Sequence, residues 1–127
     1  MAVNDPISDM LTRIRNAYMV KKASVLIPDS RLKRDVLAVI KKSGYIEDFS
    51  VSKETSGYIE VKLRYDRNMK KIERVSKPGC RVYAKKRNIP TVMQGMGTVI
   101  LSTSKGVMTG RDAKSQGLGG EIICKIY

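Results

Sequence analysis

The chain has 127 residues, with 25 Lys and Arg against 12 Asp and Glu, a formal charge of +13 and no histidine. That length corresponds to about one domain, with room for two small lobes, and buries enough surface to fold without a disulfide or metal staple. A composition of 42% hydrophobic and 29% charged residues excludes disorder, and the missing histidine excludes Ser–His–Asp and Cys–His catalysis and His-containing zinc sites.

Asp5 and Pro6 read as an N-cap followed by the first helical position, where the missing N–H of proline costs nothing. Ile7, Met10, Leu11, Ile14 and Tyr18 then recur at helical spacing and predict a buried stripe. Val25-Leu26-Ile27 is a short strand ended by Pro28. Pro28-Asp29-Ser30 opens a second helix with Leu32, Val36, Leu37 and Ile40 on one face, and Gly44 is its expected left-handed cap. Two strands follow, Tyr45–Val51 and Tyr58–Tyr65, and the second alternates apolar and charged residues. The first lobe is therefore read as α-β-α-β-β, spanning 1–66, with two helices on one face of a small sheet.

The second lobe, 67–127, begins with a strand near Ile72–Val75, a turn at Lys77-Pro78-Gly79 and a strand at Arg81–Ala84. A loop or helical turn is expected around Pro90–Gln94, then a buried strand at Thr98–Ser102 with Gly106-Val107-Met108 pairing back on it. Thr109 and Asp112 form a capping box for a short helix, Arg111–Gln116, closed by Gly117. Glu121–Ile126 is the final strand. The expected fold class is α+β, with an α/β N-terminal lobe and a mostly β C-terminal lobe carrying one short helix.

Cys80 and Cys124 are too few for a disulfide framework or a four-cysteine metal site, and Cys124 in Ile122-Ile123-Cys124 reads as a buried thiol. The first residues carry no secretory pattern and no run approaches ~18 apolar residues. A cytoplasmic protein without cofactor or metal is expected.

Charge is distributed unevenly. Residues 1–66 hold 12 basic and 9 acidic side chains, a net of +3, whereas residues 67–127 hold 13 and 3, a net of +10. The excess concentrates between Arg67 and Pro90, where nine basic residues face only Glu73. Such clustering points to a polyanionic partner. The segment lacks the amphipathic period of a membrane-surface helix, which leaves nucleic acid.

Ser102-Thr103-Ser104-Lys105-Gly106 places three hydroxyls and a lysine where an apolar strand ends. Hydroxyls and free N–H groups bond phosphate oxygens, 2′-hydroxyls and base edges, although the same residues also make ordinary polar turns. Ser102-x-x-Lys105 matches a serine-acylase pattern but lacks its companion motifs. Gly95-Met96-Gly97 and Gly117-Leu118-Gly119-Gly120 are fragments of phosphate-loop patterns and read as turns; Gly119 and Gly120 would also admit a close phosphodiester. On the first helix Asp9, Thr12, Arg13 and Asn16 share the polar face, and Tyr83 between Arg81 and Lys85 is a candidate stacking ring. Three function classes remain on residues alone: a structural RNA-binding protein, a DNA-binding module and a small phosphoryl-transfer enzyme.

The motifs Asp5-Pro6-x-x-Asp9-Met10-Leu11-Thr12-Arg13-Ile14-Arg15-Asn16, Ser76-Lys77-Pro78-Gly79-x-Arg81-Val82-Tyr83, Ser102–Thr109 and Gly117-x-Gly119-Gly120-Glu121-Ile122 resemble bacterial small-subunit ribosomal protein eight, in order and over nearly the whole chain. The resemblance implies a non-enzymatic structural protein that binds the central domain of small-subunit (16S) rRNA and supports subunit assembly. It implies a primary RNA site of Ser102, Thr103, Ser104, Lys105 and Gly106 with Tyr83, Lys85, Lys86 and Glu121, and a secondary site of Asp5, Thr12, Arg13, Arg15, Asn16 and Lys33. It also implies ribosomal protein five as a neighbour, with proteins two, twelve and seventeen as further neighbours; some members of the family also repress their own operon by binding its messenger RNA.

Overall fold

The structure is a computed structural model that describes residues 5–66, 69, 71–92 and 96–127. The chain forms two compact units: Pro6–Asn68, and a second comprising Met69–Tyr127 together with the segment ending at Asp5.

In the first unit, Pro6 opens helix α1 (Pro6–Met19), which buries Ile7, Met10, Leu11, Ile14 and Ala17. The stripe ends on Ala17 rather than on Tyr18. Tyr18 is half-buried and stacks on Tyr65 with ring centroids 4.9 Å apart, and the Tyr65 hydroxyl donates to the carbonyl of Lys22 at 2.5 Å. Strand β1 (Ser24–Pro28) leads to helix α2 (Arg31–Lys42), where Ser30 is the N-cap and its Oγ accepts from the Lys33 N–H at 3.2 Å. At the other end Gly44, at φ 85°, donates to the Lys41 carbonyl and Tyr45 to the Ile40 carbonyl. This paired closure is a Schellman motif and needs a left-handed residue where Gly44 stands.

The buried face of α2 differs from the expected one. Leu32 is 45% exposed, whereas Lys33, Val36, Leu37, Val39 and Ile40 are buried. The apolar stripe starts one residue later because the aliphatic stem of Lys33 supplies its first rung, and the ammonium donates to the Pro28 carbonyl at 3.0 Å.

Strands β2 (Ile46–Val51) and β3 (Tyr58–Leu63) complete a three-stranded antiparallel sheet of order β1-β3-β2. Ile59, Val61 and Leu63 of β3 face inward, as alternation requires. Helix α1 packs on β1 and α2 on β2.

The second unit is a five-stranded antiparallel sheet centred on β8 (Gly120–Ile126). Strands β4 (Ile72–Arg74) and β5 (Tyr83–Ala84) share one edge of β8, at its two ends. Strand β6 (Thr98–Thr103) holds the other edge, and β7 (Gly106–Thr109) pairs outside β6. Strand β5 is half the expected length: Tyr83 and Ala84 pair with β8, and Val82 adds only its carbonyl, which accepts from the Ile122 N–H at 2.8 Å. Of the turn expected around Pro90–Gln94, residues 93 and 94 lie outside the described residues, and Pro90–Val92 is not helical. Helix α3 (Gly110–Ser115) is capped by Thr109, whose side chain accepts from the Asp112 N–H at 3.1 Å.

The β6–β8 register skips Ile123: Ile100 faces Cys124 and Leu101 faces Ile122. This bulge turns Ile122 into the cluster formed with Leu101, Val99, Ile89, Val92 and Ala113 of α3. The Ile123 carbonyl accepts from the Val75 N–H at 3.0 Å and from Arg74 Nη1 at 2.8 Å. Arg74 Nε pairs with Asp5 at 3.2 Å, and both side chains are nearly buried, which ties Asp5 to this unit. Cys124 is fully buried, and desolvation pushes its thiol up to about 12 against the opposing influence of Arg74.

Candidate nucleic-acid interface

The hydroxyl-rich segment is a tight hairpin. Ser102 and Thr103 end β6, Ser104 and Lys105 form the turn, and Gly106 opens β7 at φ 111°. Thr103 Oγ1 donates to the Gly106 carbonyl at 2.8 Å and accepts from the Lys105 N–H at 3.2 Å. One hydroxyl is thus spent on shaping the turn. Ser104, Lys105 and Gly106 are exposed at its tip.

Antiparallel pairing assembles the rest of the set. Tyr83 on β5 lies directly opposite Glu121 on β8, and Glu121 lies opposite Ser102 on β6. Directly opposed residues share a face, so Tyr83, Glu121 and Ser102 form one cross-strand row. In the next row Ala84, Gly120, Thr103 and Gly106 are opposed in turn. Residues from distant parts of the sequence therefore meet within four neighbouring strands.

Two glycines make this closeness feasible. A Cβ on Gly120 would lie 2.1 Å from the Ser102 carbonyl oxygen, and one on Gly119 would lie 2.5 Å from the Ala84 carbonyl oxygen. The space expected to admit a phosphodiester at these glycines is filled by the protein's own backbone. Their requirement for glycine is a packing one.

Glu121 is held in place by residues outside the sequence-derived set. Its Oε2 accepts from the buried Ser76 hydroxyl at 2.7 Å and from Arg81 Nη1 at 2.9 Å. The Ser76 oxygen in turn accepts from the Val82 N–H at 2.9 Å. Burial raises the carboxyl pKa, but the bonds from Ser76 and Arg81 and the charges of Arg81 and Arg74 outweigh it and hold Glu121 below its ordinary 4.5. Glu121 is therefore an oriented carboxylate at neutral pH. The sequence signals for Ser76 are its place before the Lys77-Pro78-Gly79 turn, which returns the chain so that Val82 reaches it, and its place at the head of a family-like motif.

Tyr83 is 70% exposed, its ring presented to solvent. Lys85 and Lys86 follow in an exposed turn closed by the Asn88 N–H on the Lys85 carbonyl at 2.8 Å, with Arg87 beside them. The arrangement thus combines free hydroxyls, one fixed carboxylate, an exposed ring and a rim of cations. It suits a polyanion that offers hydroxyl and amino groups as well as phosphates.

Of the residues expected at a second site, Thr12, Arg13, Arg15 and Asn16 are exposed on α1. Arg13 is partly engaged, with Nε on Asp9 at 2.9 Å and Nη1 on the Leu26 carbonyl at 3.4 Å. Two do not join them. Asp5 pairs with Arg74 in the other unit, and Lys33 is 4% exposed with its ammonium on Pro28.

Among the described residues, no group of His, Cys, Asp and Glu could hold a metal ion, and no helix is long and apolar enough to cross a membrane.

The family model described as Ribosomal protein S8 matches residues 5–127. The chain is 52% identical over 127 residues to small ribosomal subunit protein uS8 of Neisseria meningitidis serogroup B, covering 98% of each chain. It is 52% identical over 128 residues to the uS8 protein of Laribacter hongkongensis, again covering 98% of each. Its identity to the uS8 protein of Vesicomyosocius okutanii is 50% over 131 residues, covering 100% of both. Matched along its length at half identity, the chain belongs to the ribosomal protein S8 family, the structural and non-enzymatic proteins of the small ribosomal subunit.

Proposed function

We propose that this protein binds the central domain of 16S rRNA directly and supports assembly of the small subunit in the cytoplasm. Residues 67–127 supply the primary contact and residues 1–66 the secondary one. The observation that carries this reading is the cross-strand row of Tyr83, Glu121 and Ser102 beside the Thr103-locked hairpin. The mechanism separates affinity from selectivity. Lys85, Lys86 and Lys105 neutralise phosphates and release counterions, which favours any RNA. Ser102, Ser104 and Glu121 select an RNA whose base edges and 2′-hydroxyls are exposed, since a regular A-form helix hides its major-groove edges. Thr103 and Gly106 hold the hairpin in the shape that presents them. Thr12, Arg13, Arg15 and Asn16 on α1 form the secondary contact.

Ribosomal protein five is the proposed neighbour in the subunit, with proteins two, twelve and seventeen nearby. The same selective face also suits a messenger RNA that mimics the ribosomal site, and through it repression of the protein's own operon. The test is binding of a Thr103→Ala, Ser104→Ala variant to a 16S central-domain fragment and to bulk RNA. Selective loss on the fragment is expected. Equal loss on both rejects the selective hairpin.

A further inference from the structure

The second unit carries a concave feature that the hairpin does not use. An open recess of about 560 Å³ lies beside β5 and the turn that follows it. Its floor is apolar, from Val75, Val82, Ala84, Pro90 and Ile122, and its polar groups are Tyr83, Lys85, Asn88 and Lys125. The volume falls within the ~300–1,000 Å³ typical of small-molecule sites.

The recess is distinct from the hairpin row. Ile122 belongs to the cluster under α3, and strand alternation sets its face opposite the one that carries Glu121 and Ser102. Tyr83 borders both. The electrostatics of the rim are one-sided. Lys85 is followed by Lys86 and Arg87. Lys125 stands across from Glu73 on β4, but Glu73 is already engaged by Lys71 Nζ at 2.6 Å, and that bond with the charges of Lys71 and Lys125 outweighs desolvation and keeps its carboxyl pKa low. Glu121 is bonded to Ser76 and Arg81. Both acids near the rim thus have a bonded cation of their own, Lys71 and Arg81, and the excess of Lys85, Lys86 and Arg87 attracts an anion.

An apolar floor, one amide and two ammonium groups match the parts of a nucleotide. We infer that this recess takes one unstacked nucleotide of the bound RNA, its base against Val82, Ala84 and Ile122 and its phosphate on Lys85 and Lys125. Asn88 offers a donor and an acceptor to the base edge. The inference rests on the RNA-binding reading above and adds a second, separate point of contact to it. Unpaired bases splayed out of the stack are the usual currency of RNA recognition, and a recess beside a cationic turn is suited to receive one.

The test uses the full-length protein and two readouts. In an NMR titration with adenosine 5′-monophosphate, the amides of Ala84, Lys85, Asn88 and Ile122 are expected to shift saturably. Adenosine and inorganic phosphate are each expected to bind more weakly, and Lys125→Ala is expected to abolish the shifts. Chemical footprinting of a 16S central-domain fragment with Lys125→Ala is expected to expose one unpaired nucleotide and to weaken binding about tenfold, while protections due to the hairpin persist. Absence of shifts at the recess, or shifts reproduced in full by inorganic phosphate, overturns the inference even if the RNA fragment still binds. An unchanged footprint in a folded Lys125→Ala protein overturns it too. Failure of the wild-type protein to bind the fragment at all would instead reject the RNA-binding reading, with the nucleotide titration still judging the recess.

Discussion

The hydroxyl of Ser76, fully buried, donates to Glu121 Oε2 at 2.7 Å across 45 positions of sequence. The same oxygen accepts from the Val82 N–H, so one side chain fixes both the carboxylate of the candidate interface and the backbone leading into β5. Removing it leaves two groups short of a partner. Ser76→Ala is expected to destabilise the protein by about 1–3 kcal/mol, the cost of unsatisfied buried groups. Urea denaturation followed by circular dichroism measures this, and an unchanged midpoint would show that water replaces the hydroxyl.

Glu121 also makes a pH signature. Its folded pKa lies below the ordinary 4.5, so the unfolded state binds its proton more readily. Its contribution to stability is fully present above about 4.5 and is lost as pH falls through the lower folded value. Glu121→Gln is expected to flatten the acid limb of the stability curve below that pH. Thermal melts from pH 3 to pH 7 on both proteins provide the comparison; parallel acid limbs would count against the proposed linkage.

Gly120 stands where a side chain has no room. A methyl group there would sit 2.1 Å from the Ser102 carbonyl oxygen and 3.2 Å from the Thr103 Cα. Gly120→Ala is expected to part β6 from β8 at the hairpin end and to cost about 1–3 kcal/mol, as overpacking does. Hydrogen exchange at Ser102 and Thr103 should accelerate, and full protection at those amides would refute the steric account.

Lys33 separates burial from charge. Its ammonium donates to the Pro28 carbonyl from a 4% exposed side chain, so it serves the N-cap region of α2 rather than solvent. Lys33→Ala is expected to lower stability by about 1–3 kcal/mol while leaving the salt dependence of RNA binding unchanged. A shallower salt slope in this variant would mean that Lys33 meets phosphate after all.

Lys85 and Lys86 are expected to behave in the opposite way. With about five phosphates neutralised, log affinity for RNA should fall with log salt at a slope of roughly −3 to −5. Lys85→Ala and Lys86→Ala should each reduce that slope by about 1, and Ser104→Ala should lower affinity without altering it. Filter binding across a salt series distinguishes the two behaviours.

Much of this protein was determined by local sequence. Helix α1 follows from Pro6 and its apolar spacing, α2 from Ser30 and Gly44, and the β6–β7 hairpin from an apolar strand ending in Ser, Lys and Gly. These are short-range preferences, set by capping, periodicity and turn chemistry, and they survive folding because tertiary packing agrees with them. The charge of +13 and the absence of histidine pointed to a polyanionic partner and away from hydrolytic chemistry. Tertiary structure alone decided which distant groups meet. The bulge at Ile123, the close approach at Gly120 and the buried Ser76 hydroxyl arise from long-range strand pairing, which leaves no periodic trace in the chain. So too with Lys33: a lysine on a helix reads as solvent-facing, and only the carbonyl of Pro28 waiting beneath it made burial the better state.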